Sequence, residues 1–299
     1  MASIREIRRR IKSVKNIAQV TRAMQMVAAS RMRRAQEQTL ASRPYANKAW
    51  EVLTHLAEQS TSQHPLLTPR GAINNVAIIL ITADKGLAGA YNANIIRATA
   101  RFMRENRRED AKLITVGRKG RDLMVRYGRT VIAEFSDLPA QPKALDIAPI
   151  ARVAIDGFLT GDFDEVYLAY TRFINTLQQE PILRLMLPIQ PYTIEGKATS
   201  QPTIEEELWV GIEYLYEPNR EILFDTILPR FTEVQVYQAI LEALASEHSA
   251  RMVAMRNATN NANELVGDLT LTYNKVRQDA ITKEMLDIAG GAEALARAS

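Results

Sequence analysis

The feature that most constrains the fold is a seven-residue spacing of mainly apolar and small residues towards the C-terminal end of the chain. One set follows this spacing without interruption: Val234, Leu241, His248, Met255, Ala262, Leu269 and Val276. A second set lies four residues further on: Gln238, Ala245, Met252, Thr259, Val266, Tyr273 and Ala280. Two heptad positions sustained over this length are typical of a coiled coil. Only Gly267 interrupts the pattern before Gly290 and Gly291, where we expect the helix to end.

The N-terminal segment carries a similar helical pattern. Its first apolar residues step by three and four: Ile4, Ile7, Ile11, Val14 and Ala18. A further set continues the spacing out of phase and predicts a change of register: Ile17, Val20, Met24 and Val27. No proline precedes Pro44 and no glycine precedes Gly71. We therefore predict one long helix over residues 3–58.

Between these helices, short β-branched runs alternate with helical stretches. The runs predict strands over residues 75–82, 113–116, 131–135, 165–171 and 208–216. Helices are predicted over residues 92–104, 121–127 and 145–159. The alternation indicates an α/β domain with a largely parallel, Rossmann-like sheet. Residues 196–202 (GKATSQP) predict a mobile surface loop.

The two terminal helices have no other segment long enough to pair with, so we expect them to pair with each other. A compact domain inserted between them makes that pairing antiparallel. The predicted fold class is α/β with long helices, in which an antiparallel coiled coil carries the inserted domain. The predicted segments are an N-terminal coiled-coil helix (1–60), an α/β domain (72–220) and a C-terminal coiled-coil helix (225–299) that pairs with the first.

The composition excludes several classes of protein. The absence of cysteine excludes a disulfide framework, a thiolate metal site and a cysteine nucleophile. The three histidines, His55, His64 and His248, are not spaced as a ligand pair, which argues against a zinc enzyme. Ser246 and Ser249 flank His248, but neighbours on a helix point in different directions, so we expect no nucleophile–base pair.

No stretch of the sequence reaches the roughly 18 apolar residues that a membrane span needs. The N-terminal segment is basic but lacks the apolar core and cleavage site of a secretory signal. We therefore expect mature structure from the start of the chain, in a cytosolic, reducing compartment.

Residues 82–92 follow a strand and precede a helix, where phosphate-binding loops lie. Gly86 and Gly89 match neither the dinucleotide nor the P-loop spacing, and Lys85 precedes both. We interpret this loop as a tight connection or a subunit contact. A nucleotide-binding α/β protein with a coiled-coil oligomerisation arm is kept as the alternative.

The net charge of +4 hides a strong local imbalance. Residues 1–34 hold one acid, Glu6, against ten basic residues: Arg5, Arg8, Arg9, Arg10, Lys12, Lys15, Arg22, Arg31, Arg33 and Arg34. This excess of one sign lacks the usual acids four residues away and indicates a polyanionic partner. No aromatic residue interleaves with the charges, which argues against nucleic acid. An acidic protein surface fits best; a coiled-coil adaptor acting on anionic lipid is a third option.

Several blocks of the sequence resemble one known family. The C-terminal run Ile281-Thr-Lys-Glu-Met-Leu-Asp-Ile-Ala-Gly-Gly-Ala-Glu-Ala294 resembles the signature of the ATP synthase gamma subunit. Residues 245–262 (ASEHSARMVAMRNATNNA) and 84–92 (DKGLAGAYN) are similar to further blocks of that family. So are the N-terminal segments IKSVKN, TRAMQMVAASRMRR and SRPY. The resemblance covers nearly the whole chain.

The resemblance implies a non-catalytic subunit, the central rotor shaft of a proton-translocating F-type ATP synthase of the bacterial type. Its implied partners are the ring of alpha and beta subunits, the epsilon subunit and the c-ring. Its implied location is peripheral, on the cytoplasmic face of the plasma membrane, without insertion into the membrane. No catalytic residue, cofactor or metal is implied. Eight residues are carried over as partner contacts: Met24, Arg31, Arg33, Arg34, Arg251, Gln278, Thr282 and Glu284. Because cysteine is absent, the thiol switch of photosynthetic relatives is excluded.

Overall fold

A computed structural model describes residues 3–58, 64–189 and 220–298. Its elements are, in chain order, α1 (Ile4–Glu58), β1 (Val76–Ile81), α2 (Tyr91–Glu105), β2 (Lys112–Val116), α3 (Arg118–Arg126), β3 (Val131–Phe135), α4 (Ala144–Thr160), β4 (Glu165–Phe173), β5 (Gln179–Leu187) and α5 (Arg220–Ala298). The described residues form two compact units. The first contains the chain up to Ala29 and from Arg251 onward, and the second spans Ser30–Ala250.

The first unit is a pair of helices that share a narrow seam. On α5, every predicted heptad position of this unit up to Val276 is shielded: Met252, Met255, Thr259, Ala262, Val266, Leu269, Tyr273 and Val276. On α1, a regular set of shielded positions faces them: Ile4, Ile7, Ile11, Val14, Ala18, Thr21, Gln25 and Ala28. The predicted C-terminal heptads are thus confirmed from Met252 to Val276, whereas Ala280 is exposed and lies beyond the seam.

The two helices of this unit run antiparallel. The hydroxyl oxygens of Thr21 and Thr259 lie 2.7 Å apart, which fixes one point of the pairing. From Thr21 towards the chain start, the seam residues of α1 lie three, seven, ten, fourteen and seventeen residues away. From Thr259 towards the chain end, the seam residues of α5 lie at the same five distances. Only an antiparallel pairing produces this match. Since a paired polar group inside an apolar seam specifies register, the two threonines align the helices.

The predicted change of register in α1 is wrong. The spacing that begins at Ile4 continues unchanged to Ala28, and three of the four out-of-phase residues are exposed, whereas Met24 is partly buried. Ile17, Val20 and Val27 are 51%, 59% and 51% exposed. The seam is filled by smaller or more polar residues, such as Ala18, Thr21 and Gln25, so hydropathy alone pointed to the wrong face.

The helix α5 continues beyond the seam, and residues 277–290 are all exposed. The predicted helix end at Gly290 and Gly291 is wrong, because α5 extends to Ala298. Glycine lowers helix propensity by about 1 kcal/mol relative to alanine but does not prevent helical geometry. Alanine at four of the seven positions that follow compensates for part of this cost. Within the described residues, no helix is long and apolar enough to cross a membrane.

The second unit is built on a five-stranded sheet with the order β3-β2-β1-β4-β5. The first four strands are parallel, and β5 pairs antiparallel with β4. This confirms the predicted α/β domain with a largely parallel, Rossmann-like sheet. All six residues of β1 are buried, as expected of a central strand with both faces covered.

The edge strand β5 was not predicted. Its sequence, QEPILRLML, contains a proline and two charged residues and shows no clear β-branched run. Such residues are tolerated at a sheet edge because the outer side needs no ladder hydrogen bonds. The predicted strand over residues 208–216 and the predicted loop over residues 196–202 lie outside the described residues.

Two cores cover the faces of the sheet. On one face, α2 and α3 pack against Val76, Ile78 and Leu80 of β1. On the other face, α4 and the first half of α5 pack against Ala77 and Ile79. The α5 residues in this core include Phe224, Leu228, Phe231, Val236, Ala239, Ile240 and Ala243. Heptad spacing predicted a coiled coil here, but this half of α5 also forms part of the core of the α/β unit.

The carboxylate of Asp164 fixes the chain entering the sheet. Its Oδ2 atom accepts hydrogen bonds from the backbone N–H groups of Asn74 and Asn75, both at 2.8 Å. Its Oδ1 atom accepts one from Arg70 at 3.3 Å. Asp164 is buried, and these amide donors, followed by the charge of Arg70, hold the pKa of its carboxyl below its usual range.

We predict that Asp164→Asn lowers the free energy of unfolding by about 1–3 kcal/mol near neutral pH, because the amide loses the charge that strengthens these bonds. A lowered pKa in the folded state stabilises the protein above the carboxyl's ordinary pKa and loses this effect as pH falls through the lowered value. The difference between the wild-type chain and the variant should therefore vanish in acid. Urea unfolding as a function of pH measures this, with the exposed Asp162→Asn as control. A difference that does not depend on pH would contradict the prediction.

Candidate functional site

A second apolar face runs along α1 in the first unit. Ile17, Val20, Met24 and Val27 follow each other at intervals of three, four and three residues, which places them on one side of the helix. Met24 is partly buried and the other three are exposed. An exposed, contiguous apolar face is unusual on a protein surface and indicates a binding surface. We call it the α1 apolar face.

The basic residues of α1 lie mostly in solvent. Arg31, Arg33 and Arg34, which belong to the second unit, are all exposed. Two arginines nevertheless have acids four residues away, contrary to the expectation from sequence. Arg33 contacts Glu37 at 3.1 Å, and Arg10 contacts Glu6 at 2.7 Å. Exposed pairs of this kind contribute little to stability, so the excess of positive charge remains available to a partner.

The end of α5 presents a third face. Gln278, Thr282 and Glu284 are exposed, in the stretch that extends past the seam. Among them, apolar residues follow at intervals of four and three: Ile281, Met285 and Ile288, which are 46%, 65% and 68% exposed. A helix that carries such a stripe in solvent is typical of a segment that a partner surrounds.

The predicted contact residues do not gather into one pocket. Arg251 is partly buried and already takes part in an interaction within the protein. In the antiparallel pairing, Met24 lies opposite residue 256 of α5. Gln278 is 22 residues further along α5, which is about 33 Å at 1.5 Å per residue. The arrangement suits an extended interface with separate contact levels rather than a catalytic site.

The loop over residues 82–92 accepts hydrogen bonds from the first backbone amides of α3, the helix that begins beside it. The N–H of Arg118 donates to Asp84 Oδ1 at 3.1 Å, and the N–H of Gly120 donates to Thr82 Oγ1 at 2.8 Å. The N–H of Lys119 donates to the Ala83 carbonyl at 3.1 Å. The first amides of α3 are therefore all bonded. The carboxylate of Asp84 occupies the position at the start of α3 where an anion would bind.

Two shallow clefts in the second unit include polar side chains in their lining. One lies beside this loop and is lined in part by the carboxylates of Asp84 and Glu247, which disfavour a phosphate group. The other is lined in part by Tyr170, Arg184 and Glu242. Burial, followed by the charge of Glu242, raises the pKa of the Tyr170 hydroxyl, so the phenol stays neutral.

The buried hydroxyls beside His248 are structural. Ser246 Oγ donates to the Thr171 carbonyl at 3.0 Å, and Ser249 Oγ donates to the Thr176 carbonyl at 2.9 Å. His248 is buried, as expected of a packed side chain. Among the residues described, no group of three or more histidine, aspartate or glutamate side chains is placed to hold a metal ion.

Comparison with known proteins gives consistent matches. The family model described as "ATP synthase" matches residues 3–295. The chain is 50% identical over 300 residues to the ATP synthase gamma chain of Roseiflexus castenholzii, with 99% of each chain covered. It is 49% identical over 305 residues to the ATP synthase gamma chain of Herpetosiphon aurantiacus, again with 99% of each covered.

Solved structures show a similar fold. The chain resembles a chain of the central stalk and c-ring structure of the Tetrahymena thermophila mitochondrial ATP synthase, with a TM-score of 0.59 and 26% identity over 80% of this chain and 99% of that one. A chain of the Euglena gracilis mitochondrial ATP synthase matches with a TM-score of 0.65 over 98% of this chain and 94% of that one. At 20% identity, that second likeness concerns the fold alone.

We predict that the isolated chain shows no saturable binding of Mg-ATP at micromolar concentration, because the first amides of α3 are bonded to the loop and carboxylates line part of the neighbouring cleft. Isothermal titration calorimetry measures this. Gly86→Ala is a suitable test variant, since an added Cβ meets no atom within 4 Å. Micromolar binding that Gly86→Ala weakens would favour the nucleotide-binding alternative.

Proposed function

The chain belongs to the ATP synthase gamma family, and we propose that it is the central rotor shaft of a proton-translocating F-type ATP synthase. In this role it couples ion-driven rotation of the c-ring to ATP synthesis or hydrolysis in the alpha and beta ring. The observation that carries the proposal is the two-helix shaft, which displays apolar and basic residues outside its own seam. ATP chemistry takes place in other subunits, and this chain acts by contact.

Rotation can be coupled to nucleotide affinity because the sides of the shaft expose different residues. The α1 apolar face occupies one side of its helix, and the exposed stripe of Ile281, Met285 and Ile288 lies at another level on α5. A subunit that surrounds the shaft therefore meets a different surface at each angle of rotation. If each surface stabilises a different conformation of that subunit, the angle of the shaft biases its nucleotide affinity.

We assign the eight predicted contact residues to this ring. Arg31, Arg33 and Arg34 suit acidic segments of the beta subunits, since they are exposed and carry charge of one sign. Gln278, Thr282 and Glu284 suit a contact near the end of α5. Met24 and Arg251 are partly buried, and we assign them contacts with the ring beside the seam.

The remaining proposed partners, the c-ring and the epsilon subunit, are assigned to the α/β unit. We propose that the α/β unit binds the c-ring and the epsilon subunit. The chain then acts as a peripheral component on the cytoplasmic face of the bacterial plasma membrane. Contact with the membrane is made by the c-ring.

Reconstitution tests the function directly. We predict that the chain stimulates ATP hydrolysis by alpha and beta subunits from the same source, and that replacing Ile17, Val20 and Val27 with glutamine lowers this stimulation at least about tenfold, as expected when an apolar contact worth more than about 1.4 kcal/mol is lost. The helix pair should remain folded, because these side chains lie outside the seam. Circular dichroism verifies this.

The matched control replaces exposed polar residues of the same helix, Asn16→Gln and Ser30→Gln, and should leave stimulation unchanged. If the native chain gives no stimulation, the rotor function is wrong. If the native chain stimulates hydrolysis and the apolar-face variant stimulates it equally, the α1 apolar face is not a ring contact.

Charge reversal tests the basic contact. We predict that Arg33→Glu with Arg34→Glu lowers ATP-driven proton pumping more than about threefold, since it sets like charges against an acidic partner. Loss of the exposed Arg33–Glu37 pair itself costs little. Pumping by inverted membrane vesicles measures the effect. The control, Arg8→Glu with Arg9→Glu, makes the same change of net charge at other exposed positions. Equal losses in both variants would argue against a local contact.

A further inference from the structure

The last turn of α5 within the second unit is held by the hairpin between β4 and β5. Ser246 and Ser249 lie three residues apart on one side of α5, and both are fully buried. Their hydroxyls donate to two main-chain carbonyls of the hairpin, those of Thr171 and Thr176. Both bonds therefore link α5 to backbone that belongs to the sheet.

The Thr171 carbonyl lies at an irregular point of the sheet. Thr171 is paired with Pro181 of β5, which lacks an N–H group. On the other side, the pairing of β4 with β1 ends at Ala169. The Ser246 hydroxyl donates a hydrogen bond to this buried carbonyl and so links α5 to the sheet at this point.

The turn of the hairpin is shaped before it meets α5. Asn175 Oδ1 accepts hydrogen bonds from the N–H groups of Leu177 and Gln178 at 2.9 and 2.8 Å. Gln179 Nε2 donates to the Thr176 carbonyl at 3.1 Å and to Ser249 Oγ at 3.3 Å. The Thr176 carbonyl is thus held in place to accept the bond from Ser249.

A second contact meets α5 one residue later. Ala250 packs against a small buried cluster formed by Ala83, Ala88 and Tyr91, which belong to the loop after β1 and the start of α2. This loop is itself tied down, because Asn92 Oδ1 accepts a hydrogen bond from the N–H of Ala83 at 2.9 Å. Two separate parts of the α/β unit therefore contact the same turn of α5.

We propose that these serine hydrogen bonds transmit torque between the α/β unit and the shaft helix. We name Ser246, Ser249, Thr171, Thr176 and Gln179 the serine clamp. Apolar packing alone permits a helix to shift or turn between alternative settings, whereas hydrogen bonds to fixed carbonyls specify one rotational setting. The serines are positioning residues and do not touch the catalytic subunits. The proposal rests on the rotor function.

The test measures the torsional stiffness of the assembled complex. Because the chain has no cysteine, Leu145→Cys provides one attachment point on the α/β unit, at a side chain that is 83% exposed. A bead attached there reports angular fluctuations while the alpha and beta ring is fixed and stalled with a non-hydrolysable ATP analogue. Ser246→Ala with Ser249→Ala should raise the angular variance about twofold, since the directional bonds are lost. ATP hydrolysis by the complex should stay unchanged.

Thr232→Val is the matched control. Thr232 is fully buried on the same helix, but its hydroxyl donates to the Leu228 carbonyl within α5. It should lower thermal stability without widening the angular distribution. If the double variant does not assemble, Ser249→Ala alone should give a smaller increase in variance. An unchanged variance in the assembled serine variant overturns the clamp, as does an equal increase in Thr232→Val. A native complex without ATP-driven rotation overturns the rotor function as well.

Discussion

The structure depends first on a narrow seam between two helices, in which several positions hold small side chains. Ala18, Ala28 and Ala262 are buried there, and Thr21 meets Thr259. Each small residue buries little apolar area, so the gain per turn is modest. Length compensates, because the seam continues from Ile4 to Ala28 on α1. A seam this narrow leaves most of each helix facing outward, where partners can be bound.

The sequence predicted the C-terminal half of this seam residue by residue, because a heptad spacing follows directly from helix geometry. On α1 it found the seam positions from Ile4 to Ala18 and failed beyond them for a physical reason. From residue 17 onward the helix carries two stripes, and the more hydrophobic one, with Ile17, Val20 and Val27, is the one in solvent. A prediction based on hydropathy therefore took residues on two different faces of the helix for a single stripe with a change of register. Burial, which depends on the partner helix, was needed to separate them.

In the α/β unit, too, features that follow from local sequence could be predicted, and features that depend on tertiary contacts could not. The central strands were found because both faces of β1 are buried and its sequence is uniformly apolar. The edge strand β5 was missed because Pro181 and its charged residues are acceptable only at an edge, which is a property of the assembled sheet. The roles of Ser246 and Ser249 also require tertiary structure, since their acceptors lie more than 70 residues away in the chain. The contact residues came from family resemblance, and their exposure is what the structure adds.

A helix that is apolar on two sides can bury the second side only against something other than its seam partner. For a shaft that turns, permanent cover is excluded, because tight burial of one face would fix one angle. The α1 apolar face is limited to a few residues and lies beside exposed arginines, so successive partners can bind and release it. Such contacts can bias the partner subunits only if the α/β unit sets a defined angle of the shaft helix. Hydrogen bonds from Ser246 and Ser249 to backbone carbonyls meet that requirement, whereas alanine packing alone does not.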